Sequence, residues 1–519
     1  MRRREFLYLT GMAALGPIQR RSSPGPDTPR TFEELSQLIT AKMAEYHVPG
    51  VAFGVMKNGE TMTRGFGVTS VDEPQPVTPD TIFQIASISK TFAATAIMRL
   101  VDQGKVDLKA PVRRYLPDFR VLDETVSREV TIWHLLTHTP GWEGQLNTDD
   151  RGTETLANFV SGLRELPQLS APGSVWSYNN AGFGVAGRVI EVVTGKNIHD
   201  ALRELVFAPL GLTRAFTRSA DAMTYRFTVG HRQRGEQTEV IRPFSWSLNT
   251  TAGGVATSVT NLLSYAKFHL GDGRDAQGGP LLAPAALELM RTPQLRKNST
   301  DDDMGIGWQL RRLNGVLTAA HGGTLNGHCL HVQLVPERNL AFSILTNHSD
   351  GWRLVQDVER ATQTLYEGLA LAPNQPIAHR GVNEAMTGHS TPLTRQPNLA
   401  AYIGTYRRPP LGTVEVRDEG GTLVVNSGGA NNTSLVFFGP DVAYATAGSY
   451  TGSPFEFVRT PDGNVGWIRI NGRVARKDPP TASGESRPDS SSRPSRHGSE
   501  DRRSGPTADP IEAKRSSAE

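Results

Sequence analysis

The sequence predicts an α/β fold in which an antiparallel five-stranded sheet is flanked by helices and joined by a helical lobe, with a small all-β barrel-like unit behind it. Three observations carry this. A β-hairpin pattern stands near the start, strand patterns return after residue 307, and the stretch between is dominated by helical periodicity. The sheet is therefore built from both ends of one domain around a mostly helical insertion, with a cleft where the two meet. After residue 397, short strands separated by regular turn signals predict the barrel.

Taken in order, residues 1–30 read as a leader and linker. Met1-Arg2-Arg3-Arg4-Glu5-Phe6-Leu7 resembles a twin-arginine export signal, and the apolar stretch Leu7 to Leu15 is too short to span a bilayer. Export to the periplasm or beyond is the expectation. Thr31 to Tyr46 has the spacing of an amphipathic helix. Val51 to Met56 and Thr61 to Val68 flank Asn58-Gly59, whose residues accept the positive φ of a hairpin turn. Helices follow over Thr91–Asp102, Trp133–Leu136, Thr155–Leu163, Gly182–Val193 and Ile198–Phe207. Strands at 307–312, 316–320, 329–335 and 340–346 precede a closing helix from Trp352 to Leu369. This gives a domain over 31–372, a linker over 373–396, a β unit over 397–478 and a Ser/Pro/Arg-rich tail over 479–519.

Composition removes several functions. The chain has 519 residues, with 55 Lys and Arg against 52 Asp and Glu, a net charge of +3 that suggests no polyanion partner. No nucleic-acid partner is expected. One cysteine, Cys329, excludes an internal disulfide and a Cys-rich metal site, and its apolar strand makes it a small buried hydrophobe. His134 and His138, four apart, and His321, His328 and His331 raise a zinc alternative, but no H-E-x-x-H occurs. No G-x-S-x-G occurs either, which removes the α/β-hydrolase nucleophile elbow.

The chemistry concentrates in three places. Ser87-Ile88-Ser89-Lys90 puts a hydroxyl and an amine on one helix face, and a buried lysine amine can take a serine proton. Roughly two S-x-x-K matches arise by chance in a chain this long. A second stands at Ser264-Tyr265-Ala266-Lys267, where the helix Asn261 to Leu270 leaves Ser264 mid-helix. Ser87 instead falls where a strand gives way to a helix, so its own N–H can face an oxyanion. Tyr178-Asn179-Asn180 supplies a phenol that Lys90 would hold at a lowered pKa, and an amide that would hold Lys90 or a substrate; the bland alternative is an aromatic anchor and a helix cap. His321-Gly322-Gly323-Thr324 ends a strand with paired glycines that let a backbone approach a ligand, or form a plain turn.

Ser87-x-x-Lys90, Tyr178-x-Asn180 and His321-x-Gly323, in this order, resemble the serine β-lactamase and penicillin-binding-protein superfamily. Residues 31–371 look like its class C-type branch, which also holds esterases and D-amino-acid peptidases. Leu135 to Gly141, Pro209 to Leu212 and Ala252-Gly253-Gly254-Val255 match as well. The resemblance implies Ser87 as acylated nucleophile, Lys90 and Tyr178 as the proton-transfer pair, Asn180 as a positioning group, and the N–H groups of Ser87 and Thr324 as oxyanion hole beside His321 and Gly323. It implies an ester or amide substrate, small or peptide-like, and no metal or organic cofactor. The C-terminal unit resembles the lipocalin-like appendage of some peptidases of this branch. The third motif begins with His321, where β-lactamases and transpeptidases usually carry lysine; this favours an esterase or peptidase over β-lactamase or D-Ala-D-Ala carboxypeptidase activity. A catalytically silent binding protein of the same fold is the non-enzyme alternative. Oligomeric state is left open.

Overall fold

The computed structural model describes residues 31–144, 155–246, 249–297, 302–367, 392–393, 397–409, 412–428, 432–448 and 450–479. The expected leader, nearly all of the 373–396 linker and the tail from 480 lie outside these residues. The described chain up to Asp478 forms one compact unit.

Helix α1 (Phe32–Glu45) starts at Thr31, whose hydroxyl accepts the Glu34 N–H, and buries Leu35 and Ile39. Strands β1 (Gly50–Lys57) and β2 (Glu60–Gly67) form the expected hairpin, with Asn58 and Gly59 both at positive φ. The sheet continues through the short strands β3 (Leu295–Arg296) and β4 (Asp303–Met304), then β5 (Gln309–Leu313), β6 (Val316–Leu325), β7 (His328–Val335) and β8 (Leu340–Thr346). Their spatial order is β2-β1-β8-β7-β6-β5-β4-β3, antiparallel throughout. Eight strands stand where a five-stranded sheet was expected: the strand patterns read from the sequence already number six, all six are present, and the edge strands β3 and β4, two residues long, carry no readable period.

One face of the sheet packs α1 and the closing helix α5 (Trp352–Glu367) around Phe53, Phe342 and Leu354. The other receives α4 (Val259–Leu270), and α2 (Ser89–Asp102) and α3 (Asn180–Thr194) join the same buried cluster, which includes Phe92, Tyr265 and Trp308. Residues 404–477 close into an eight-stranded antiparallel barrel, ending with β9 (Pro454–Arg459), β10 (Val465–Ile470) and β11 (Arg473–Lys477). Tyr406, Phe437, Phe455 and Ile468 fill it. The barrel abuts the α/β half directly: Leu169 and Val175 pack with Val458, Trp467 and Val474, and the Trp467 Nε1–H donates to Leu169 O at 2.8 Å. Among the described residues no helix is long and apolar enough to cross a membrane.

Candidate active site

Ser87 sits where the sequence placed it, between the two-residue strand Phe83–Gln84 and α2, inside a single helical turn over 86–88. Ala86 before it holds φ +48°, a left-handed conformation that costs an alanine about 1–3 kcal/mol and persists only where the surroundings enforce it. Here Ser89 Oγ donates to Ala86 O at 2.6 Å and accepts from Val255 N–H at 3.0 Å, so the Ala252-to-Val255 segment braces the turn.

Lys90 is fully buried on the first turn of α2. Its Nζ donates to Ser87 Oγ at 3.1 Å and to Ala252 O at 2.6 Å. The holding group is thus a backbone carbonyl rather than the Asn180 amide that the motif suggested. Burial first, and the Arg473 charge second, push the Lys90 pKa well below that of an ordinary lysine. In its neutral form, which these surroundings favour, the amine beside the Ser87 hydroxyl is a proton acceptor.

Tyr178 lies over this pair: Lys90 Nζ stands 4.9 Å from its ring centre, and its hydroxyl is near enough to the Ser87 side chain to lower its own pKa slightly. Its acidity differs from expectation. Burial drives the phenol up to about 12, outweighing the Ser87 contact and the Arg473 charge, so it is a neutral hydroxyl at pH 7. The helix cap in this segment is Asn179, whose Oδ1 accepts the Gly182 N–H at 2.8 Å. Asn180 is the first residue of α3, and its Oδ1 is buried without a hydrogen-bond partner. The capping alternative therefore applies to its neighbour.

The third motif comes from β6. β5 pairs with it only as far as Ala320, leaving residues 321–325 with one open edge. That edge faces the Ser87 turn: a Cβ on Gly323 would stand 2.6 Å from Ile85 O and 3.0 Å from Ala86 Cβ. His321 lies on the same side, its ring 6.3 Å from that of Tyr178, with Nδ1 2.7 Å from Gly322 O. Burial, then Lys90, lower its pKa to about 3, so it carries no charge at neutral pH. Thr324 is held through its hydroxyl, which accepts the Trp352 Nε1–H at 2.6 Å.

Sequence reasoning missed three groups. His138 was paired with His134 as an i, i+4 set, but the helix ends at Leu136, and His138 turns to φ +60°. Its ring lies 4.5 Å from that of Tyr178 and its Nδ1 accepts the Asn179 N–H, whereas His134 caps its own helix through Thr131. The other two come from the barrel. Gly472 O accepts the Tyr178 N–H at 2.8 Å, and the Arg473 guanidinium stands 5.3 Å from the Tyr178 ring. Asn471-Gly472 was legible as a turn, but nothing local says what a turn will touch. Ser264 falls away from the site, exposed on α4 with its hydroxyl on Thr260 O, while Cys329, opposite Thr324 in the β6–β7 ladder, is buried with its thiol pushed up to about 12.

An antiparallel α/β sheet with a serine and lysine at its helical seam, a tyrosine across from them and a glycine-paired edge strand is the β-lactamase and transpeptidase type of fold. A family model described as Beta-lactamase matches residues 35–365, and the chain belongs to that family. It is 34% identical over 317 residues to Penicillin-binding protein 4 of Amycolatopsis lactamdurans, covering 59% of this chain and 83% of that relative. The crystal structure of SurE superposes with a TM-score of 0.70 at 25% identity, over 86% of this chain and 98% of that one. A class C β-lactamase from Rhodobacter sphaeroides gives 0.52 at 22% identity, over 63% and 98%. The chain is thus a hydrolase of the serine β-lactamase and penicillin-binding-protein type.

Proposed function

We propose that the protein hydrolyses an ester or amide bond through a covalent acyl-enzyme on Ser87. The observation that carries this is the buried Lys90 amine 3.1 Å from Ser87 Oγ, in surroundings that favour its neutral form. Ser87 Oγ attacks the carbonyl carbon while its proton passes to Lys90. The tetrahedral oxyanion is met by the N–H groups of Ser87 and Thr324, on the turn and the open edge that face each other. The leaving group takes a proton from Tyr178, which is neutral and suited to donate, and Lys90 restores that proton. The Ser87 ester then falls to water, activated by the regenerated Lys90–Tyr178 pair. Asn180 Oδ1 and the Gly323 backbone line the acyl site, with neutral His321 on its wall.

The barrel bears on specificity. His321 brings no cation where the third motif would place one, but the Arg473 guanidinium stands 5.3 Å from the ring of the same tyrosine. A substrate with a carboxylate beside its reacting carbonyl finds its counter-charge there. This observation favours a second reading, carboxypeptidase-like or β-lactam-directed action, and the name of the Amycolatopsis relative makes penicillin the natural acylating probe. Export of the folded enzyme by the twin-arginine-like leader fits such a substrate.

One purified sample assayed with p-nitrophenyl esters, D-amino-acid amides, D-terminal peptides and nitrocefin sorts these readings. Turnover confined to neutral esters and amides supports the first; turnover of free-carboxylate peptides or nitrocefin supports the second. No turnover of any of them, with no acylation, leaves the silent binding protein.

A further inference from the structure

Tyr178 is reached through Trp176, and the backbone of that segment is fastened from the barrel. Arg469 of β10 is 6% exposed and faces Glu456 directly across the β9–β10 ladder, donating from Nη1 to Glu456 Oε2 at 2.7 Å. Its Nη2 crosses to the catalytic half and donates to Trp176 O at 3.1 Å. The same guanidinium lies 5.7 Å from the Trp176 ring, which also receives Lys297 Nζ at 5.1 Å from the edge of the main sheet. Two further bonds continue the attachment: Val474 N–H donates to Ser177 Oγ at 3.2 Å, and Tyr178 N–H to Gly472 O. A buried arginine held by one carboxylate loses charge solvation for little gain in stability, and apolar residues would fill the place as well. An arginine, however, can reach two acceptors at fixed angles.

We propose that the Arg469–Glu456 pair is a positioning device: by gripping the Trp176 carbonyl it sets Tyr178 over Ser87 and Lys90, which makes the barrel a working part of the catalytic centre. This rests on the acyl-enzyme reading above. Arg469 touches no reacting atom, so its removal is read in turnover rather than in substrate affinity, since a misplacement of about 1 Å costs on the order of 10²-fold.

The test uses the full-length enzyme, Arg469→Met, and the double variant Glu456→Arg with Arg469→Glu. The double variant keeps an opposite pair in register but puts an acceptor where Trp176 O needs a donor. Melting temperature, kcat and KM on a p-nitrophenyl ester, and the rate of Ser87 labelling by a fluorophosphonate are measured. The expected result is labelling and kcat slowed about 10- to 100-fold in both variants, with KM within about twofold, and a double variant that regains melting temperature without regaining rate. Wild-type labelling in either folded variant, or rate regained together with melting temperature, overturns the proposal. Should Arg469→Met not fold, the double variant decides; should both fail, Arg469→Lys, which keeps the charge on a single amine, decides by the same criterion. A wild-type enzyme that takes no label at Ser87 overturns the acyl-enzyme reading instead, which is a separate result.

Discussion

In the proposed mechanism Lys90 is the residue on which the chemistry turns. Its burial and, second, the Arg473 charge both disfavour the protonated form, so its depressed pKa is a property of the fold. Replacing it by methionine, which keeps the bulk and removes the base, should lower kcat by about 10²–10⁴-fold with the fold intact, as followed by ester hydrolysis and melting temperature. Acylation should rise with pH as Lys90 loses its proton, well below the usual 10.5 of lysine. His321 and His328, held at about 3 and about 4 by burial, and His138, held well below 6.5, stay neutral across that range. Their sign on stability is opposite to that of a paired histidine. The unfolded chain binds protons near pH 6.5 that the native state refuses, so stability is lost as pH falls from about 6.5 toward 4, by about 1.4 kcal/mol per pH unit for each group. Melting curves across pH 4–7 check this; a flat profile would show that these histidines are solvated.

At the level of elements, the decisive contact is the open edge of β6 against the turn that carries Ser87. Gly323 permits it, since any side chain there meets Ile85 O and Ala86. Gly323→Ala should therefore push the edge strand off the turn and cost about 10²–10³-fold in kcat, with a smaller change in melting temperature. This element was well marked in the sequence. The hairpin at Asn58-Gly59, the helices α2, α3 and α4, and strands β7 and β8 fall within a few residues of their expected bounds, because each has a clear period and a clear stop. Strands β3 and β4 did not, being too short for any period. The Trp133–Leu136 helix ends at Leu136 as its pattern predicts, and what fails is the His134/His138 pairing, because His138 lies beyond the helix end.

Across the whole molecule, the α/β half carries the proposed reacting groups, Ser87, Lys90 and Tyr178, and the barrel brings Gly472 O, Arg473 and Arg469 to the Trp176–Tyr178 segment. None of this was legible. Spacing reports neighbours on one element, whereas these contacts join positions some 300 residues apart in the chain. The third motif suggests a site without a carboxylate-binding cation, whereas the fold brings the Arg473 guanidinium, from another layer, to 5.3 Å from the Tyr178 ring. Arg473→Met should raise KM for free-carboxylate substrates by about tenfold while leaving neutral p-nitrophenyl esters much less affected, a split read from parallel kinetics on the two substrate types. Equal loss on both would mean that Arg473 acts only on the Lys90 and Tyr178 proton balance.

The account stands or falls on covalent chemistry at one hydroxyl. Intact-mass and peptide mass spectrometry after treatment with a fluorophosphonate, and separately with penicillin, is the direct measurement. A single adduct on the peptide containing Ser87, absent in Ser87→Ala together with hydrolysis, is the predicted result; no adduct on Ser87, with hydrolysis surviving in Ser87→Ala, would contradict it.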